Sequence, residues 1–268
     1  MSESFSVVSW NVRHFKSRRA RVDQSLSFLR KQDPDIFALY DISGREVFTE
    51  MVKQFPGYSV HITEGKRAQK VLLGVRNSLD AFITQKLEFT SGSSTVCPGP
   101  LATIIHKGHV YPMLFMNLES TPTATGLGHR HEMIQRAFKY RGRLDKLAWE
   151  KGEAKVNYIF LGNFQIMGME PLYNNGLDPE AELQKWDKVD CKKYNMRRLS
   201  KTHNLTFMSC DGSTRGDYDQ VYAAEHLHFR KFGESEVDVR GWVTEPEDRQ
   251  KEWCEKYSPH ALLYFEVL

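Results

Sequence analysis

Cysteine is scarce in this chain. Its four residues (Cys97, Cys191, Cys210, Cys254) show no CxxC spacing, so neither a zinc motif nor a disulfide framework is read, and a reducing cytoplasmic setting is expected. Long apolar runs are missing as well. The longest, Ile36 to Tyr40, Tyr158 to Leu161 and Ala261 to Phe265, fall far below the roughly 20 residues of a membrane span, so no membrane association is expected. The opening MSESFSVVSW lacks a basic region followed by an apolar stretch, so no signal peptide is read. Glycine and proline, 18 and 10 in 268 residues, exclude collagen-like and low-complexity classes. Excess charge of one sign is also absent: 37 basic and 34 acidic residues leave +3. A dedicated nucleic-acid binder carries a larger basic surplus, although local charge leaves nucleic acid open.

What is present is an alternation of strands and helices. Phe5 to Trp10 (FSVVSW) reads as a strand, and Arg18 to Lys31 as a helix with Val22, Leu26 and Leu29 inward. DPD at 33–35 ends that helix, and the continuous apolar IFALY that follows reads as a strand covered on both faces. Gly44 to Gln54 is a second helix, with Val47, Met51 and Val52 inward. YSVHIT and KVLLGVR are strands; LATIIHK and YPMLFMNLES form a hairpin about Lys107-Gly108-His109. Arg130 to Glu150 is a long amphipathic helix and VNYIFLGN a buried strand. Residues 170–201 read as a polar, helix-poor excursion, and LTFMS, YDQVYAA, LHFRKF, EVDVRGW and LLYFEV as closing strands. No linker composition divides the chain. The expectation is one α/β domain over residues 1–268, with sheets packed on each other and helices outside.

Polar residues at the ends of buried strands are candidates for a site, because rigid strands deliver such side chains to a cleft. They are Asn11, Asp41, Asn117 with Glu119, Asn163 with Gln165, and the pair Asp219 and His260. Each alone reads as a turn residue. Their order reads differently: Ser9-Trp10-Asn11, then Pro34-Asp35-Ile36 with Leu39-Tyr40-Asp41, then Asn117-Leu118-Glu119-Ser120, Gly162-Asn163-Phe164-Gln165, Tyr218-Asp219-Gln220 and Ser258-Pro259-His260. This series resembles the endonuclease/exonuclease/phosphatase superfamily of DNase-I-like, metal-dependent phosphoesterases, over nearly the whole chain. The corresponding family patterns are WN, PDI with LQE, HLxS, GDxN, LDH or IDY, and SDH.

The resemblance implies a four-layer α/β/β/α sandwich, two mixed β-sheets face to face with helices outside. It implies phosphoester hydrolysis with Mg²⁺ or Mn²⁺ as cofactor, held on the side of Asp41 and Asn11. Catalytic positions fall on His260, Asp219, Asn163, Gln165 and Asn117. The letters depart at most of them. Asn11, Asp219 and His260 are kept, but Asp41 stands for Glu, a reach shorter by about 1.5 Å. Asn117 stands for His, Asn163 for the water-positioning Asp, Gln165 for Asn, and Pro259 for the Asp of SDH. A neutral amide accepts no proton at neutral pH, and losing one general base removes about 10²–10⁴ in rate.

Two readings follow. In the first, the chain is catalytically impaired or non-catalytic and binds a phosphate-containing ligand, nucleic acid or a protein partner. In the second, an active Mg/Mn-dependent phosphodiesterase, nuclease or phosphatase uses a rearranged site of Asp41, Glu119, Asp219 and His260.

Three basic clusters add detail. Arg13 to Arg21 follows Asn11, so Arg13 and Lys16, with Arg18 and Arg19, are candidates to guide an anionic substrate. Lys139 to Lys146 reads as a solvated helix face, and Lys192 to Lys201 closes the polar excursion. Tyr173, Trp186 and Tyr194 lie among charges, a pattern that suits either single-strand stacking or a loop packed on its own aromatics. The pairs His129/His131 and His226/His228 lack a spaced carboxylate or cysteine and read as surface histidines rather than a metal site.

Overall fold

A computed structural model describes residues 4–15, 19–43, 45–64, 70–86, 99–118, 121–150, 152, 155–169 and 176–268. Two six-stranded sheets carry the fold. The first runs β13-β14-β1-β2-β4-β3, from β1 (Phe5–Phe15), β2 (Ile36–Ile42), β3 (Tyr58–Ile62), β4 (Lys70–Arg76), β13 (Asp238–Arg240) and β14 (Leu262–Val267). The second runs β5-β6-β7-β8-β12-β9, from β5 (Asp80–Lys86), β6 (Gly99–His106), β7 (His109–Asn117), β8 (Ile159–Asn163), β9 (Met196–Arg198) and β12 (Asp219–Ala224). The short strands β10 (Phe207–Met208) and β11 (Arg215–Gly216) pair with each other.

Each sheet contains one parallel pair, β1 with β2 and β7 with β8, flanked by antiparallel neighbours. The sheets are therefore mixed, as the resemblance implied. These central strands are apolar on both faces because one face meets the other sheet and one meets helices. IFALYDI in β2 is buried at every position.

Helices cover the outer faces. α1 (Arg19–Gln32) buries Val22, Leu26 and Leu29, and its Phe28 meets Trp10 of β1 edge-on at 5.6 Å. α2 (Arg45–Gln54) buries Val47 and Met51, whereas Val52 is 49% exposed and not inward. On the second sheet α3 (Ala124–Glu150) sets Phe138 against Phe160 of β8 and Tyr222 of β12, at 5.0 and 5.6 Å. No described helix is long and apolar enough to cross a membrane.

Several elements correct the sequence expectation. α3 begins six residues before Arg130, at a start with two glycines and no apolar stripe; Thr123 Oγ1 accepts from Gly126 N–H there (3.1 Å). The excursion at 170–201 is structured in its described part. Asp178 caps α4 (Pro179–Lys185), a π-helical turn (Trp186–Asp190) and α5 (Cys191–Tyr194) follow, and then β9. The Asp-Pro start is a legible helix signal, but polar residues hid it. Trp186 is 1% exposed and Tyr194 stacks on Phe138 at 5.9 Å, so these aromatics pack the fold rather than await bases. Tyr173 lies outside the described residues. β5, an edge strand with Phe82 68% exposed, and α6 (Glu247–Lys256) lack an apolar periodicity that would announce them. LHFRKF forms only the isolated bridges Phe229↔Val267 and Phe232↔Ser235. Arg141, in the cluster read as solvated, is 2% exposed and bonded to Asp145.

Candidate active site

The parallel pairs decide where the polar strand ends go. Where the regular β1–β2 pairing stops, β1 delivers Asn11, whose register partner on β2 is Tyr40, followed by Asp41. The carboxyl ends of β7 and β8 deliver Asn117 and Asn163, which are partners of each other, and Asn163 is also the partner of Asp219 at the start of antiparallel β12. Asn117, Asn163 and Asp219 thus form one row across three strands. Cleft residues at the carboxyl ends of parallel strands are a general property of such sheets.

Both central strands of the first sheet are irregular there. The β1–β2 register shifts between Asn11 and Phe15, and the β2–β4 register shifts between Leu39 and Ile42. Arg13 (φ 38°) and Asp41 (φ 65°) take left-handed backbone in these bulges. Bulges re-aim side chains, and left-handed non-glycine backbone concentrates at functional sites. Asn11 Oδ1 accepts from Arg13 N–H at 2.8 Å, fixing the turn. The Arg13 side chain is exposed, with Nη1 3.7 Å from Cys210 Sγ. Lys16 and Glu119 lie outside the described residues.

The second sheet's turn is equally built. Gly162 has φ 144°, and a Cβ there would sit 1.9 Å from Met116 O, so only glycine fits before Asn163. Asn163 Oδ1 accepts from Gln165 N–H at 3.2 Å. Because that contact requires an oxygen, the amide is not interchangeable end for end, and Nδ2 points the other way. Asn163 is 0% exposed and its Nδ2 meets no acceptor. Gln165 is 7% exposed, with φ 52°.

His260 and Asp219 close the site. His260 Nδ1 lies 2.9 Å from Asp219 Oδ2, and both residues are buried. His260 precedes β14 of the first sheet and Asp219 opens β12 of the second, so the bond gathers the two rows at one end of the sandwich. Trp10 Nε1 donates to His260 O at 2.9 Å. Ser258 Oγ donates to Asn11 O (2.6 Å) and accepts from His260 N–H (3.1 Å), tying the two strand ends together.

Sequence reasoning missed Thr206, Phe207 and Lys201. Thr206 Oγ1 accepts from the N–H groups of Tyr218 and Asp219, both at 3.0 Å, while Thr206 O accepts from Ala261 N–H at 2.7 Å. Phe207 stacks on Tyr218 at 4.6 Å and lies 4.9 Å from the His260 ring. Lys201 Nζ donates to Asp219 O at 3.0 Å. Thr206 and Phe207 read only as letters of the LTFMS strand and Lys201 only as the end of a basic cluster, because nothing in local pattern shows which strand end they approach. Tyr40 is wholly buried; Ser9 Oγ donates to its hydroxyl at 3.1 Å, and burial, with Asp219 nearby, pushes the phenol far up.

Similarity to known proteins completes the picture. The structure superimposes on D. rerio TDP2 carrying 14 humanizing mutations, with TM-score 0.69 at 13% identity and 100% of each chain covered. It superimposes on D. rerio TDP2 complexed with a single-strand DNA product, with TM-score 0.65 at 14% identity and 100% of each chain covered. An endonuclease/exonuclease/phosphatase from Bacteroides vulgatus gives TM-score 0.65 at 11% identity, covering 100% of this chain and 99% of that one. The chain has the endonuclease/exonuclease/phosphatase fold. No family model and no curated protein matches the sequence itself.

Within this fold the question of a metal is one of donors. Mg²⁺ takes octahedral oxygen ligands, one or two of them carboxylates. Here the described donors are one carboxylate, Asp41, and the Asn11 amide oxygen already engaged by Arg13 N–H. Among the described residues no three His, Cys, Asp or Glu gather as a metal cage. Asp41 and the Asn11 amide oxygen are the described residues that would hold such an ion, and it would polarise a phosphoryl oxygen there.

Proposed function

We propose that this chain binds a phosphate-containing ligand, with a nucleic-acid strand as the candidate macromolecule, and hydrolyses phosphoesters slowly or not at all. The observation that carries this reading is Asn163. Register fixes it between Asn117 and Asp219, and its Oδ1 is engaged while its Nδ2 is a buried donor without an acceptor. An amide takes no proton from water at neutral pH, but it donates to an anionic oxygen. A buried donor without a partner costs about 1–3 kcal/mol, which a phosphate oxygen relieves after a small local shift. Gln165 offers a second amide beside it, and exposed Arg13 supplies charge at the rim.

The TDP2 bound to a single-strand DNA product shares this fold, which makes single-stranded DNA the first macromolecular probe. The scarcity of cysteine supports a cytoplasmic setting, and the pairing of β1 with β14 supports residues 1–268 acting as one domain.

The test titrates the ¹⁵N-labelled chain with inorganic phosphate and with single-stranded oligodeoxynucleotide. The Asn163 side-chain amide is expected to shift with both, and Asn163→Leu to weaken both at least tenfold. In parallel, a bis-aryl phosphodiester is offered with Mg²⁺ and Mn²⁺. Turnover that disappears in His260→Ala would overturn the non-catalytic half. It would instead support an active, rearranged phosphodiesterase or phosphatase, the reading favoured by the intact Asp219–His260 bond.

A further inference from the structure

The lysine at the end of the polar excursion has its side chain buried, and a buried ammonium is rare unless it is fully paired. The Lys201 side chain is 3% exposed. Its three hydrogens have three acceptors: the Asp217 carboxylate, Asp219 O at 3.0 Å and Gln220 Oε1 at 3.2 Å. Gln220 Nε2 closes the ring by donating to Asp217 O at 3.0 Å. Arg198 approaches the same carboxylate, with Nη1 3.6 Å from Asp217 Oδ2. Burial pushes the Lys201 pKa below its ordinary value, against the pull of Asp217.

We propose that Lys201 is a positioning residue for the Asp219–His260 pair. Both peptide units that flank the Asp219 Cα are pinned. On the amino side, Asp219 N–H donates to Thr206 Oγ1; on the carboxyl side, Asp219 O accepts from Lys201 Nζ. With both planes fixed, the Cα–Cβ direction is fixed, and two side-chain dihedrals remain to bring Oδ2 to His260 Nδ1. Thr206 O also holds Ala261 N–H, so the His260 end is tied to the same connection. A hydrophobic residue at 201 fills the space but takes the ammonium away from Asp219 O and Gln220 Oε1 and leaves the Asp217 carboxylate to Arg198. One ammonium meets a carboxylate, a carbonyl and an amide oxygen together, which no neutral side chain of that length does.

This inference deepens the reading of the site as a phosphate site. Its test follows the pair directly and needs no ligand, so it stays informative if that reading fails. The probe is NMR of the full ¹⁵N-labelled chain, observing the His260 Nδ1 proton, which a hydrogen bond to a carboxylate moves downfield and shields from exchange. Lys201→Met is expected to speed its exchange with solvent at least tenfold and move it upfield. Lys201→Gln, which removes the buried charge but keeps two donors, is expected to give a smaller change in the same direction and guards against misfolding of the first variant. Circular dichroism confirms that each variant is folded. A Nδ1 proton unchanged in position and exchange rate in a folded Lys201→Gln or Lys201→Met chain would overturn the proposal.

Discussion

His260 and Asp219 join the two sheets through a 2.9 Å hydrogen bond at the end of the sandwich where the parallel strand pairs terminate. Both side chains are nearly closed to solvent, at 4% and 3% exposure, so neither exchanges its partner for water at low cost. Asp219→Ala leaves a buried imidazole nitrogen without its acceptor. The expected loss is about 1–3 kcal/mol, read as a lower urea midpoint with an unchanged slope. Asp219→Asn retains an acceptor and is expected to lose less.

Gly162 is the glycine on which the Asn163 turn depends. At φ 144°, with Met116 O 1.9 Å from a would-be Cβ, an alanine forces strand β8 away from β7. Gly162→Ala is expected to destabilise by more than about 2 kcal/mol, since strained backbone alone costs about 1–3 kcal/mol per residue. Thermal denaturation checks it, with Gly108→Ala, φ 78° but nothing near its Cβ, as the milder comparison.

Arg130 and Glu182 form a buried pair that holds the loops leaving β7 and β8. Arg130 Nε and Nη2 donate to the Glu182 carboxylate (3.0 and 3.2 Å), Nη1 to Thr121 O (2.7 Å) and Nη2 to Gly168 O (2.6 Å). Glu182 Oε2 also accepts from Gly168 N–H at 3.0 Å. Arg130→Met is expected to cost about 3–5 kcal/mol, because it strands a buried carboxylate. Adding Glu182→Leu is expected to recover part of that loss, and a double-mutant cycle in denaturant measures the coupling.

His226 adds a pH dependence. Burial, then Arg141 and Lys155, lower its pKa from 6.5, with His228 acting the same way and Asp145 opposing them. Between the lowered folded value and 6.5 the unfolded chain holds more protons, so stability is full above 6.5 and falls as pH drops through that window. His226→Gln, which retains a partner for Asn157, is expected to flatten the stability profile between about pH 5 and 7. Melting temperatures across that range test it.

Much of the architecture was written in local pattern. Ile36–Ile42 is buried on both faces as its unbroken apolar letters required, and Val22, Leu26 and Leu29 face the core as their spacing required. At the hairpin, Lys107 and Gly108 both take positive φ, the turn that a two-residue connection demands. Where polar letters form an element through capping and packing, pattern was silent: α4 rests on the Asp178 cap, and α6 on burying Trp253 and Cys254. Val52 failed because a ten-residue helix on one sheet face buries a narrower stripe than its apolar letters offer.

The sequence by itself determined the strand ends and the residues they carry: Asn11, Asp41, Asn117, Asn163, Asp219 and His260, with the amide Asn163 where the pattern it resembles has an acid. Only the tertiary structure decided which of them meet and how each is turned. Asp219 and His260 are 41 residues apart and meet because β12 and β14 start at the same end of facing sheets. Asn163 is a donor rather than an acceptor because a backbone N–H two residues on takes its oxygen. Lys201 and Thr206 matter because an irregular connection passes between the two sheets' ends. Side-chain identity is local, but hydrogen-bond partners are chosen by which strands lie side by side, and that is a property of the packed sheets.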